Sequence, residues 1–348
     1  MNQSTRSNPS AWEQRWHPFR EEWILYNSAR AQRPWSGETK PFEEKPGPAY
    51  DPTCYLCPGN ERIAGQNADY QGGYVFTNDL PTYGPNAPEA TPGDELYQAW
   101  PARGTAEVVC YTHDHSKTFA DLSASETLAV VQVLRGRYQQ LAERDEVKQV
   151  IIFENRGAVV GTSNPHPHGQ IYATNLVLGF IERERESARR YYLKTGEFLG
   201  QAVVRREAAS QRVICETDEF LACVPWFARY AYEVMILPKK QVASLAELSE
   251  QQAADLAATM REVCIRYDNL WKMPMPYVMA IHQAPTDGQI NSMFPFHVEY
   301  HPPLRSPDTM KYLAGSEIGG GLMANESNPD EKAAELKAVS SRLFRDES

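Results

Sequence analysis

Two histidines flanking a proline, His166-Pro167-His168, carry the densest chemistry in this chain, with Pro165 just ahead and Gly169-Gln170 just behind. Proline holds φ at about −65° and donates no backbone hydrogen bond, so the stretch is not a helix interior. Residues ahead of proline are pushed towards extended conformations. Side chains two apart on an extended segment point the same way, so both imidazoles should emerge side by side from a stiff backbone. Neutral imidazole attacks phosphorus well and leaves it readily, which splits one hard displacement into two easier ones. Attack needs a lone pair on one ring nitrogen, arranged when the other donates to a carbonyl. Ser163, Gln170 and the amides around Gly161 could hold the phosphate oxygens. Two solvated loop histidines would leave that company of Gly, Ser, Asn and Gln unexplained.

A second kind of chemistry begins at Cys54-Tyr55-Leu56-Cys57. In a reduced compartment this spacing is a metal knuckle or a redox pair. A redox pair would open a helix, whereas Pro58-Gly59 follows here, which favours metal. No second Cys-x-x-Cys exists, so the remaining ligands must be histidines. His166 with His115 would complete a closed, structural Cys2His2 zinc site and stiffen the strand that carries His168. Spacing alone decides neither which of His166 and His168 ligates nor whether His113 replaces His115. Glu184, His282, His297 and Glu299 offer a further cluster, with His297 and Glu299 on one face of a strand. Two imidazoles and two carboxylates suit zinc or iron; the plainer reading of His282 and His297 is as satisfied core histidines.

The positioning elements follow from periodicity. Residues 1–20 read as a flexible N-terminal arm. Strands are expected at 22–27, 74–77, 104–112, 149–155 and 170–174, and a long helix is expected from Ala124 to about Arg144 behind the Leu122-Ser123 cap. A charged helix follows at 181–196. The second half repeats the plan: two strands within 220–237, a helix over 250–270 behind Leu248-Ser249, and strands at 277–282 and 296–300. This predicts an α+β fold with a duplicated β-β-α-β-β unit and a largely antiparallel sheet flanked by helices. One half spans 21–196, with the histidine motif and the cysteine knuckle. The other spans 197–348, with the second cluster, a Gly-rich loop at 315–321 and a final helix near 329–345.

Bulk properties exclude other classes. A net charge of −10 argues against nucleic acid as partner. No apolar run approaches the roughly 20 residues of a membrane helix. The polar start lacks a signal-peptide core, which points to the cytoplasm and to reduced or metal-bound cysteines. Eighteen tyrosines and seven tryptophans suit broad contacts of the kind found in an oligomer.

The decapeptide Gly161-Thr-Ser-Asn-Pro-His-Pro-His-Gly-Gln170 resembles the signature of the galactose-1-phosphate uridylyltransferases, a branch of the histidine-triad superfamily. Arg30-Ala-Gln-Arg33-Pro-Trp35, Cys54-x-x-Cys57-x-Gly-Asn60, Phe76-Thr-Asn78-Asp79, Asp114-His115-Ser-Lys-Thr118 and Glu154-Asn155-x-Gly157 match the same pattern in order, so the resemblance spans about residues 20–315. It implies a duplicated histidine-triad fold and a homodimer whose sites draw on both subunits. It also implies a ping-pong reaction in which His168 takes UMP from UDP-glucose and passes it to galactose 1-phosphate, with Gln170 holding the phosphate. The zinc ligands it implies are Cys54, Cys57, His115 and His166. The second set is Glu184, His282, His297 and Glu299, where the familiar enzymes have His-x-His in place of His297-Val298-Glu299. Contacts to nucleotide and phosphate would fall on Arg30, Arg33, Phe76, Asn78, Asp79, Asn155, Gly161 and Ser163, and contacts to sugar on Lys311 and Glu317. An ADP-glucose or other nucleotide-sugar phosphorylase of the same superfamily is the neighbouring alternative, and a zinc-held nucleotide-binding module is the non-catalytic one.

Overall fold

Ser123 and Ser249 each start a long helix in the same way. The Ser123 hydroxyl accepts from the Glu126 amide at 3.2 Å and that of Ser249 from the Gln252 amide at 3.1 Å, with the Glu or Gln side chain reaching back to the serine amide. Each such cap contributes about 1 kcal/mol. The two helices, α1 (Ala124–Ala142) and α4 (Glu250–Trp271), are the matching centres of two repeated units.

The computed structural model describes residues 12–27, 47–91 and 93–347. β1 (Trp12–His17) and β2 (Glu22–Asn27) pair antiparallel. A small hairpin, β3 (Glu61–Arg62) and β4 (Gly65–Gln66), follows the cysteine knuckle. The first unit is β5 (Tyr74–Thr77), β6 (Gly104–Cys110), α1, β7 (Gln149–Arg156) and β8 (His168–Thr174). α2 (Gly179–Thr195), α3 (Leu199–Ala208) and β9 (Val213–Glu216) lead to the second. That unit is β10 (Phe220–Cys223), β11 (Val234–Pro238), α4, β12 (Tyr277–His282) and β13 (His297–His301). The tail holds the hairpin β14 (Leu304–Ser306) and β15 (Thr309–Met310), the short α5 (Ser316–Gly320), β16 (Ala324–Asn325) beside β2, and α6 (Pro329–Ala338).

Nine strands form one sheet in the order β5-β6-β8-β7-β12-β13-β11-β10-β9, and every neighbouring pair is antiparallel. The order β5-β6-β8-β7 recurs, mirrored, as β10-β11-β13-β12, and the two quartets join where β7 pairs with β12. The expected α+β architecture and its duplication are therefore present, and the two sheets are one. Register makes the halves comparable residue by residue. Val108 lies across from Gln170 as Met235 lies across from Glu299. His297 thus occupies the place of His168, and Glu299 that of Gln170.

Alternation along the strands sends every second side chain to the opposite face. One face, with Val109, Ile152, Ile171, Ile236, Ile281 and Val298, buries against α1 and α4 in a continuous core. The other face is covered differently in each half. Over the first, Val108 and Cys110 pack beneath Cys54, Leu56, Cys57 and Tyr70. Over the second, Leu221, Met235 and Leu237 pack beneath Leu199 and Val203 of α3 and beneath Phe19. Each fully buried apolar side chain of this size contributes roughly 1.5–3 kcal/mol.

Several elements depart from expectation. Residues 12–20 are not a flexible arm: β1 pairs along its whole length with β2, and His17, Phe19 and Arg20 are buried. The helix α3 was not anticipated. The Gly-rich loop at 315–321 contains the short helix α5, and the last helix ends at Ala338 rather than near 345. Among the described residues no helix is long and apolar enough to cross a membrane.

Candidate active site and two candidate metal centres

The loop ahead of β8 builds the first site. Asn164 organises it: its side-chain Oδ1 accepts from the His166 amide at 2.9 Å, and its Nδ2 lies 3.2 Å from Cys54 Sγ. Cys54, Cys57, His115 and His166 are all buried, and one donor atom from each lies within 4.8 Å of the others. His166 Nε2 donates to the Thr112 carbonyl at 2.9 Å, so its Nδ1 carries the lone pair and faces Cys57 Sγ at 3.6 Å. His115 Nδ1 faces the same sulfur at 3.6 Å. His113 does not join them; its Nδ1 points to the Gln71 carbonyl at 2.7 Å. Burial lowers His166 to about 4, keeping it neutral and able to ligate. Burial also pushes the Cys57 thiol up to about 11, so a thiolate here requires a cation. Two thiols and two neutral imidazoles at tetrahedral spacing fit a zinc ion.

His168 opens β8 beside this centre, half-buried. Its Nδ1 donates to the His166 carbonyl at 2.7 Å. That bond leaves the Nε2 lone pair free, and burial holds the ring below the ordinary imidazole range, hence neutral near pH 7. A cleft in front of it is lined by Lys117, Asn155, Gly157, Thr162, Asn164 and His168. Gly157 (φ 91°) and Gly161 (φ 87°) sit in conformations that suit glycine and bracket the short 158–160 helical turn. The glycine after His168 answers to a different constraint: a Cβ on Gly169 would lie 2.4 Å from the Tyr111 hydroxyl oxygen and 3.2 Å from the Phe153 carbonyl. Behind it, the Tyr111 and Tyr277 hydroxyls donate to Glu154 at 3.3 and 3.2 Å. Burial raises that carboxyl to about 7.

The other candidate contacts are spread wider. Gln170 Oε1 accepts from the Tyr172 hydroxyl at 3.4 Å. Ser163 Oγ is 3.4 Å from the Tyr55 hydroxyl. Asp79 pairs with Arg62, whose guanidinium lies 4.0 Å over the Phe76 ring, while Asn78 Oδ1 caps the Leu80 amide at 3.0 Å. Arg30 and Arg33 lie outside the described residues. Lys311 and Glu317 bond to each other at 2.6 Å, with Lys311 beside Tyr230 in the second half, and neither lines the His168 cleft of the same chain.

The second cluster, Glu184, His282, His297 and Glu299, is equally enclosed, with donor atoms again within 4.8 Å. α2 carries Glu184 to it, and β12 and β13 carry the rest. His282 Nδ1 donates to Glu184 at 2.8 Å, and His297 Nε2 stands 3.3 Å from Glu299 Oε1. Burial would raise both carboxylates. For Glu299 it is outweighed by Arg20 and His282, which hold it well below the usual range; for Glu184 it is outweighed chiefly by His282. Taken without their surroundings, two imidazoles and two carboxylates are the donor kinds that hold zinc or iron. Sequence reasoning missed the rest of the nest: Phe19 stacks on His297 with centroids 5.1 Å apart, and Arg20, Arg229 and His301 all meet Glu299 Oε2. The alternation His297-x-Glu299-x-His301 was the available signal.

A groove lined by Trp16, Tyr191, Arg206, Trp226 and Glu331 lies between the N-terminal segment, α2 and α3, and holds none of the candidate site residues. The family model described as galactose-1-phosphate uridyl transferase, N-terminal domain, matches residues 3–177, and its C-terminal counterpart matches residues 184–346. The chain belongs to the galactose-1-phosphate uridylyltransferase family. A relative of that name from Haemophilus influenzae is 39% identical over 337 residues, 95% of each chain. Another from Rattus norvegicus is 34% identical, covering 93% of this chain and 87% of its own. Among solved structures, a uridylyltransferase superposes with TM-score 0.77 at 28% identity over 94% of this chain and 97% of its own. An ADP-glucose phosphorylase from Arabidopsis thaliana shares the fold at TM-score 0.76 and 22% identity, over 95% and 99%.

Proposed function

We propose that this protein transfers UMP from UDP-glucose to galactose 1-phosphate through a uridylyl group carried on His168. Family membership supplies the activity class: it is a hexose-1-phosphate uridylyltransferase of galactose metabolism, a nucleotidyltransferase. The observation that carries the covalent step is the Nδ1 bond of His168 to the His166 carbonyl, which leaves Nε2 nucleophilic towards the cleft. The Nε2 lone pair attacks the α-phosphorus, an N–P bond forms, and the bond to glucose 1-phosphate breaks with its electrons on the departing oxygen. A phosphate oxygen of galactose 1-phosphate then attacks the same phosphorus and restores the free imidazole. Gln170 and Ser163 hold non-bridging oxygens without giving up a proton.

Cys54, Cys57, His115 and His166 hold a structural zinc that stiffens the strand bearing His168. Glu184, His282, His297 and Glu299 have the donors for zinc or iron. Arg30, Arg33, Phe76, Asn78, Asp79, Asn155 and Gly161 are the nucleotide and phosphate contacts of this reading. Lys311 and Glu317 would meet sugar across a homodimer, a role that fits their place outside the lining of their own chain's cleft. The compartment of this reading is the cytoplasm, where free cysteines stay reduced. UDP-glucose alone should release glucose 1-phosphate stoichiometric with enzyme and leave an acid-labile uridylyl-protein, with ADP-glucose a poor donor. His168→Ala should abolish this with folding intact. Normal turnover in that variant would overturn the assignment.

A further inference from the structure

The second cluster contains a feature that its four donors do not require. Arg20, from the turn after β1, is buried at 2% exposure, and its guanidinium lies between the two carboxylates. Nη2 is 2.5 Å from Glu299 Oε2, and Nε is 3.6 Å from Glu184 Oε1. Its flat face lies 4.1 Å from the Phe180 ring centroid, and among the described residues its Nε and Nη1 have no hydrogen-bond partner. A guanidinium does not lose its proton in a protein, so this is a fixed positive charge. Arg229 adds a second, 3.3 Å from the same Glu299 oxygen and 3.7 Å from Glu233. His301 Nε2 approaches that oxygen too, at 2.9 Å. Glu299 is thereby divided: Oε2 is saturated by cationic and imidazole donors, and only Oε1 faces His297.

We propose that Arg20 does at this cluster what a divalent cation would do: it neutralises Glu184 and Glu299, holds the four side chains together without metal, and weakens divalent-metal binding there. Like charges in a dry enclosure repel strongly, so a dication set among these donors would meet the guanidinium across one carboxylate. An unpaired buried carboxylate is costly, so some cation must be present, and here the chain supplies its own. The N-terminal segment is the device that delivers it. β1 is locked to β2, Ser187 Oγ donates to the Phe19 carbonyl at 2.7 Å, and the Phe19 ring covers His297. This inference rests on reading the cluster as cation-shaped and is independent of the uridylyl transfer.

The test is metal stoichiometry on the full chain, freed of metal, reloaded with excess Zn²⁺ or Fe²⁺, desalted and measured by elemental analysis and melting. Wild type should retain about one equivalent, at the cysteine centre. Arg20→Gln should retain a second, with a dissociation constant at least about tenfold tighter than wild type, and its melting temperature should rise with added metal where wild type does not respond further. Adding Glu184→Gln to Arg20→Gln should remove the second equivalent. Arg20→Lys, which keeps the charge, should stay with wild type. Two tightly held equivalents in wild type would overturn the proposal without recourse to any variant, as would an Arg20→Gln protein that folds and binds only one. Uridylyl release from UDP-glucose, followed in parallel, reports separately on the catalytic reading.

Discussion

His168 and His297 stand at the same place in two copies of one unit, and they are tethered alike. His168 Nδ1 donates to the carbonyl two residues back at 2.7 Å, and His297 Nδ1 does the same to Pro295 at 2.6 Å. What differs is what the other nitrogen faces. His168 lines a cleft, with its Nε2 left free by the Nδ1 bond; His297 Nε2 faces Glu299 and Glu184, under the Phe19 ring. Tethering a histidine is thus common to both halves, and access to its free nitrogen is decided by the cover. The cysteine knuckle, displaced to the side, leaves one imidazole open, and helix α2 with the N-terminal segment seals the other.

The sharpest way to break this comparison is to remove each histidine in turn. His168→Ala should lower uridylyl transfer by roughly 10⁴-fold or more, as loss of a covalent nucleophile does, at an unchanged melting temperature. His297→Gln should leave turnover of the folded fraction within about tenfold while lowering stability. Equal kinetic losses would mean that the two copies share the chemistry.

The covers themselves give the next contrast. Cys54→Ser should lose the zinc and melt at least about 10 °C lower, because binding at such a site is coupled to folding. Arg20→Gln in the other half should not depend on zinc at the cysteines. A Cys54→Ser protein with full zinc and unchanged melting would refute the ligand set.

The cores behind the two histidines also differ. Glu154 lies where the second half has Ile281, next to the β7–β12 seam. Its carboxyl titrates near 4.5 when unfolded and at about 7 in place. The folded chain therefore keeps a proton that the unfolded chain has lost, and stability falls as pH rises from about 4.5 to about 7, then levels. Glu154→Gln should remove that slope, a difference on the order of 3 kcal/mol between the ends of the window, read from urea midpoints across pH. Parallel curves for variant and wild type would show that Glu154 does not titrate in that window.

Much of this was legible beforehand where the signal was local. Leu122-Ser123 and Leu248-Ser249 mark the repeat because capping is written in four residues, and the cysteine knuckle carries its own spacing. Arg20 was not legible. Its partner Glu299 lies 279 residues away, and Pro18 in a polar N-terminal stretch reads as part of an arm, whereas α2 and β13 bury Arg20. α3 was hidden by Arg205 and Arg206, which mask the apolar face of Leu199, Ala202 and Val203. The role expected of His168 came from the motif; the crowding that calls for glycine beside it comes from Tyr111, just past the end of β6.

That glycine gives the smallest and cleanest test. Val298 occupies its position in the second half, and Pro238 stands where Tyr111 would be, so the unit itself tolerates a side chain there. In the first half a Cβ would press on the Tyr111 oxygen at 2.4 Å and its ring carbon at 3.2 Å. Gly169→Ala should cost about 1–3 kcal/mol and displace His168, lowering kcat more than it raises KM. Tyr111→Phe removes the nearest atom, so the double variant should recover part of both losses despite leaving Glu154 one donor short. If the two substitutions simply add, the crowding is not with the hydroxyl, and the difference between Gly169 and Val298 has another cause.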